Sequence, residues 1–199
     1  MANSASVVRN DDGRICEMAG VREASVDDLY RESGKAELVN GELVVMSPGG
    51  GTHGYAAGVI YASLLDHARR TKRGIALPDN VGFIVDLPHR RSFCPDAAFW
   101  TGAPLTAKFL EGPPIFAVEV RSAEDFGPAA DRLMAAKRAD YFRAGTLIVW
   151  DVDLRAMQVH VYRSTNPGSP TSYARGEQAE AEPAIPGWSM AVDDLIPPS

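Results

Sequence analysis

From residue 36 onward, short apolar runs alternate with turn residues. Ala36–Val39 and residues 42–46 flank Asn40-Gly41, a dipeptide that tolerates positive φ at both central turn positions, and this predicts a β-hairpin. Upstream, Ser25 stands where it can cap a short helix ending near Gly34, with Asp27 and Asp28 in the favourable first turn. Residues before about 22 are small, polar and aperiodic, the pattern of a loose arm or an early edge strand. Ser47-Pro48-Gly49-Gly50-Gly51 breaks the second hairpin strand, and Thr52 is placed to cap a helix over residues 53–72. In that helix Ala56, Val59, Ile60, Ser63, Leu64 and His67 repeat at the spacing of one buried stripe.

Strands are predicted over residues 75–77 and 81–85, followed by a loop with Pro88-His89-Arg90-Arg91, and then over 96–100 and 115–121. The last of these is apolar enough to be central in a sheet, and residues 101–114 before it read mostly as loop. A second long helix fits residues 128–144, with Pro128 tolerated in the first turn and Gly145 as the stop. Residues 146–152 and 157–162 are expected to pair across Asp153-Leu154-Arg155, and the tail over 166–182 is polar and turn-rich. Each helix has one apolar stripe to bury, so this order predicts an α/β (mixed α+β) fold: a mixed sheet flanked by helices.

With 199 residues, 45% of them hydrophobic, the chain is long enough for one domain with a real core. The expected division is an arm over 1–22 and one domain over 23–199, with the hairpin at 36–46, the main body at about 53–163 and a C-terminal extension over 164–199. A net charge of −6 excludes a protein that coats nucleic acid through a broad positive field, so any such contact must be local. The richest stretch, residues 64–95, holds Arg69, Arg70, Lys72, Arg73, Arg90 and Arg91 against three acids, either a phosphate-binding edge or a solvated helix end. Cys16 and Cys94 lie in no ligand pattern, which argues against a disulfide framework or a structural zinc site. No run approaches the roughly 20 apolar residues that span a bilayer, and the first residues lack the apolar region of a signal peptide, so a cytoplasmic protein with no membrane partner is expected.

Three residues stand out against this background. Alternation puts Ala117, Glu119 and Arg121 on one face of their strand and Phe116, Val118 and Val120 on the other, so Glu119 is a carboxylate inside a central apolar strand. It needs a cation, a network or a cleft; a salt bridge to Arg121 or Arg143 would serve as well as a functional role. Asp96 opens another apolar strand after Pro95, where a turn cap is the plain alternative. Two acids on neighbouring strands, with the Val120 carbonyl, would offer oxygen ligands to a hard cation such as Mg²⁺ or Mn²⁺. Lys137 lies four residues after Leu133, three after Met134 and four before Tyr141, on the stripe that should face the sheet. It either snorkels to the rim or balances those acids. The glycine run lacks the ending of a phosphate-binding loop and there is no GxSxG, while His160 reads as solvated and Asp151 and Asp153 as turn residues.

Pro95-Asp96, a spacer and Glu119-Val120-Arg121, bracketed by two helices, resembles the PD-(D/E)XK core of restriction-endonuclease-like proteins. More specifically the chain resembles the Uma-two family. The likeness is carried by Glu37-Leu38-Val39-Asn40-Gly41-Glu42-Leu43, Met46-Ser47-Pro48, His53, Val118-Glu119-Val120-Arg121-Ser122, Lys137 with Tyr141, Ala144-Gly145, residues 149–153 and Ile185-Pro186-Gly187-Trp188. It covers most of the chain from residue 36. It implies a restriction-endonuclease-like sheet with an N-terminal hairpin and a Mg²⁺- or Mn²⁺-dependent endonuclease acting on DNA, as a homodimer if both strands are cut. Asp96 and Glu119, with Val120, would hold the metal, and Lys137 would orient water or steady the phosphate.

The resemblance also offers Glu37 as a further acid and His53, Arg121 and Tyr141 as substrate contacts, although Glu37 reads equally as a solvent-facing strand residue and His53 as a cap or an exposed side chain. The usual final lysine of the broader motif is Arg121, which cannot act as a base, so a catalytically degenerate binding or self-association module is the alternative.

Overall fold

The structure is a computed structural model that describes residues 22–198, together with two short strands, β1 (Val7–Arg9) and β2 (Ile15–Glu17), paired antiparallel. The rest of the expected arm lies outside the described residues. Helix α1 (Val26–Arg31) starts with a reciprocal capping box, the Ser25 N–H donating to the Asp28 carboxylate and the Asp28 N–H donating to the Ser25 hydroxyl. The hairpin is β3 (Ala36–Val39) and β4 (Glu42–Val45), with Leu38 opposite Leu43 and both turn residues, Asn40 and Gly41, at positive φ.

Helix α2 (Gly51–Thr71) begins two residues earlier than expected. Gly50 is its extended cap residue, and Thr52 lies inside the first turn instead of capping it. Next come β5 (Ile75–Leu77), β6 (Phe83–Ile84), β7 (Ser92–Phe93), β8 (Ala97–Trp100), β9 (Leu110–Glu111) and β10 (Phe116–Val120). Helix α3 (Pro128–Ala144) has the bounds that Pro128 and Gly145 set. After it come β11 (Ile148–Asp153), β12 (Gln158–Arg163), β13 (Asn166–Ala174), β14 (Gln178–Glu180) and β15 (Ser189–Ala191), and a 3₁₀ turn over Val192–Leu195.

Six strands form the main sheet in the order β13-β12-β11-β10-β8-β5. Only β10 and β11 run parallel, because α3 carries the chain back between them; the other neighbours are antiparallel. The fold is thus mixed α and β, as the pattern implies. Strands β7, β6 and β9 make a separate small sheet on the α3 side.

The first face of the main sheet carries the larger core, where Ala56, Ile60 and Leu64 of α2 meet Phe116, Val118, Val120 and Trp150. Burying a side chain of this size stabilises by roughly 1.5–3 kcal/mol. The C-terminal stretch closes this core. Trp188 sits 4.9 Å from the Trp150 ring and 5.6 Å from Phe116, its indole N–H donates to Ser63, and Ile185, Val192 and Leu195 are buried beside it. The stretch expected to be an extension is therefore an integral wall of the core. The polar tail also contains the nine-residue β13. An edge strand paired on one side needs little apolar alternation and tolerates Pro167 and Pro170, which is why its composition reads as loop.

The second face is different in kind. Tyr141 stacks on Phe93 at 3.9 Å, but the only other fully buried residue of α3 is Asp140. Leu133, expected on the inward stripe, is 73% exposed. Helix α3 docks through polar and charged side chains, and those side chains make the site.

Candidate active site

The backbone brings Asp96 and Glu119 side by side. Ala97 pairs with Val118 across β8 and β10, so the residue before the one lies opposite the residue after the other, on the same face. Main-chain bonds fix this corner: Asp96 N–H donates to the Val118 carbonyl at 2.9 Å, and Val120 N–H donates to Asp96 Oδ2 at 2.7 Å. Both carboxylates are buried, Asp96 to 4% exposure and Glu119 to 8%.

Two lysines neutralise this pair from opposite sides. Lys137 Nζ lies 2.8 Å from Glu119 Oε2 and 2.8 Å from Glu37 Oε1, so the ammonium on α3 clamps β10 to the hairpin. The Tyr141 hydroxyl, one turn along, donates to Glu119 Oε1 at 2.7 Å. Lys35, immediately before β3, pairs with Asp96 and with Asp79 at 2.7 Å from the latter. His53, in the first turn of α2, brings Nε2 to 3.4 Å from Asp96 Oδ2.

Glu37 is held three ways, by Lys137, by Arg90 at 2.5 Å and by the Cys94 N–H at 2.9 Å. It is buried, which removes the solvent-facing alternative. Arg90 in turn reaches Asp140, which also meets His89 and Arg143. Arg90 is thus an internal ion-pair partner and no part of a basic edge, contrary to one expectation for residues 64–95.

Glu119 finds its cation in Lys137, neither in Arg121 nor in Arg143. The Arg121 guanidinium forms a fork on Asp151, at 2.7 and 2.9 Å, and touches Asp131 at 2.8 Å, so its donors are engaged away from the Asp96 corner. Asp151 also binds Arg138 at 2.9 Å and is fully buried in β11, directly beside Glu119 in the parallel register. The turn role read for Asp151 is therefore wrong. Asp153 does have one, accepting the Arg155 and Ala156 N–H groups. Tyr141, expected as a substrate contact, is fully buried with its hydroxyl on Glu119.

Lys35, Asp79, Asp140 and the internal role of Arg90 were not anticipated. Only Lys35 left a signal: it is two residues before Glu37, the spacing that puts two strand residues on one face.

The ionisation pattern follows from these contacts. Burial opposes the charge on Asp96, but the bond to His53, the Lys35 ammonium and the Val120 N–H hold its carboxyl well below the usual range. Burial raises Glu119; Lys137 opposes this, and the neighbouring charges of Asp96 and Glu37 add to it. For Glu37, Lys137 and Arg90 outweigh burial and the shift is downward. Lys137 is raised despite burial because Glu119 and Glu37 hold its proton.

His53 is raised above 6.5, chiefly by its bond to Asp96. Its favourable contribution to folding is therefore complete below that value and fades as pH climbs through the higher folded one. A proton-NMR titration should show His53 titrating above 6.5 and falling back in Asp96→Asn; an unchanged titration in the variant would disprove the pairing.

Among the described residues, no three acidic, His or Cys side chains converge tightly enough to hold a metal by themselves. Mg²⁺ commonly takes one or two carboxylates and completes its shell with water and phosphate. The donors present are oxygens, the right chemistry for a hard cation. In the cluster, Glu37, Asp79, Asp96, Glu119 and Asp140 are met by Lys35, Arg90, Lys137 and Arg143, with His53 on Asp96 and His89 on Asp140. The residues fit a divalent cation at the Asp96–Glu119 corner. No helix among the described residues is long and apolar enough to cross a membrane.

Comparison with known proteins bears on the same stretch of chain. No curated protein sequence matches. Among solved structures, the fold is similar to that of a "putative nuclease belonging to DUF820" from Anabaena variabilis ATCC 29413, with a TM-score of 0.68 and 14% identity, over 86% of this chain and 96% of that one. The family model described as "Putative restriction endonuclease" matches residues 23–193, a span that begins just before α1, takes in every residue of the charged cluster and ends in the last core turn. By that match the chain belongs to the Uma2 family.

Proposed function

We propose that this protein is a divalent-metal-dependent endonuclease that hydrolyses DNA phosphodiester bonds. The observation that carries the proposal is the pairing of two buried acids, Asp96 and Glu119, on adjacent strands, with the Lys137 ammonium 2.8 Å from the second. The family description and the nuclease description of the similar Anabaena variabilis protein point the same way. Asp96 and Glu119, with the Val120 carbonyl, would hold Mg²⁺ or Mn²⁺. Bound there, the ion would activate a water and neutralise charge on the phosphate.

The chain's own groups have separable tasks. Lys137 keeps its proton, so it acts as a donor that steadies the phosphate or the attacking water and not as a base. Tyr141 and Glu37 position the two partners of that contact, Glu119 and Lys137. His53 stands in the first turn of α2, where a protonated ring and free backbone N–H groups favour a phosphate. Cutting both strands of a duplex needs two such sites, so a homodimer belongs to the same proposal.

A catalytically degenerate nuclease-fold module is the second reading, favoured by Arg121 at the usual lysine position and its engagement with Asp151. Supercoiled plasmid separates the two. The purified full chain should nick it with Mg²⁺ or Mn²⁺ and leave it intact with chelator. Absence of nicking with either metal would favour the non-catalytic module.

A further inference from the structure

One ammonium stands where the proposed cation site needs room. Lys35 pairs with Asp96, one of the two acids of the corner, and its side chain is only 16% exposed. Burial works against its charge, yet Asp96 and Glu119 together keep it protonated, so it feels both acids of the pair. No other cation contacts Asp96 among the described residues except His53, which sits on the opposite oxygen. On its far side Lys35 has a second carboxylate, Asp79, which is 47% exposed at the rim. Lys35 therefore bridges an inner and an outer acid, and it can release the first while keeping the second.

We propose that Lys35 is a built-in competitor for the metal: it occupies the inner carboxylate of Asp96 until a divalent cation displaces it outward onto Asp79. The inference rests on Asp96 and Glu119 being the metal site. A lysine side chain is flexible and its ammonium is a compact point charge, so the exchange needs rotamer changes at Lys35 and no movement of the backbone. The outer acid lowers the barrier to exchange because the displaced ammonium is not left without a partner in a half-buried position. Lys137, between Glu37 and Glu119, has no exposed acid to move to; both of its partners are buried. The two lysines are thus unequal, Lys35 exchangeable and Lys137 fixed.

Calorimetric titration of the full chain with Mn²⁺ at constant ionic strength tests this without reference to catalysis. Lys35→Met should tighten binding by about tenfold or more, since a unit charge a few ångströms away is removed from the competition. Lys35→Gln, which keeps a donor for Asp96 without the charge, should tighten it in the same direction and serves if the first variant folds poorly. Asp79→Asn should weaken binding in the wild-type background but leave it unchanged when Lys35 is already Met. Weakening that persists in the double variant would make Asp79 a direct ligand and overturn the relay. Saturable binding in the wild type with no gain in either Lys35 variant would overturn the competitor role and leave the metal site standing. Failure of every variant and of the wild type to bind would remove both.

Discussion

Asp96→Asn and Glu119→Gln should each lower metal-dependent nicking by at least about 10²-fold, while differing in their effect on stability. The two acids occupy equivalent places on paired strands, so both removals take a ligand from the same corner. Their ionisation differs. Asp96 is held far on the charged side by Lys35, His53 and a main-chain N–H, and its neutral isostere breaks contacts that stabilise the fold; a loss of about 1–3 kcal/mol is expected. Glu119 is pushed the other way, by burial and by its acidic neighbours, so its carboxylate contributes less to stability than that of Asp96, and the amide, which still accepts from Lys137 and Tyr141, should cost less in urea denaturation than Asp96→Asn. A residue whose loss removes activity at a smaller cost in stability than its neighbour's marks a site kept for chemistry. Nicking that survives in both variants would remove the proposed site.

Much of this arrangement was readable from the chain, and the reason is local. Asn40-Gly41 sets the hairpin because few dipeptides accept two positive φ angles, and Pro128 with Gly145 sets both ends of α3 because one lacks an N–H and the other accepts the left-handed cap. Asp96, Glu119 and Lys137 stand out because each breaks the polarity of its own strand or stripe. What escaped were partners brought together by topology. Arg90 and Glu37 are 53 positions apart, and Lys35 and Asp96 are 61 apart, so no periodicity links them. Arg90 lies in a run of surface-like arginines and Asp151 beside a turn, and each has the composition expected of an exposed residue. Only the docking of α3 and the hairpin against the sheet encloses them. Leu133 shows the converse: its spacing from Tyr141 is helical, but the inward face of α3 is charged, so an apolar stripe there has no surface to meet. Likewise β13 is held by backbone pairing to β12, and its exposed side chains record none of it.

Lys137→Met should destabilise the protein by about 3–5 kcal/mol at neutral pH, more than any other single change in the cluster, and the deficit should shrink as the solution is acidified. The ammonium is the shared partner of Glu37 and Glu119, and neither acid can turn to water, since their side chains are 6% and 10% exposed. Without Lys137, Glu37 keeps Arg90, whereas Glu119 keeps the neutral Tyr141 hydroxyl as its direct partner and feels Lys35 only at longer range. Glu119 already has a raised pKa with the lysine present, and losing the cation must raise it further. A carboxyl that binds its proton more tightly folded than unfolded makes the folded state take up protons first, so stability rises as pH falls through the folded pKa. Urea denaturation at pH 7 and pH 5 should therefore show a larger gap between wild type and variant at the higher pH. An equal gap at both would mean that Glu119 is not the group left exposed to the loss, and that the lysine holds α3 in place through Glu37 alone.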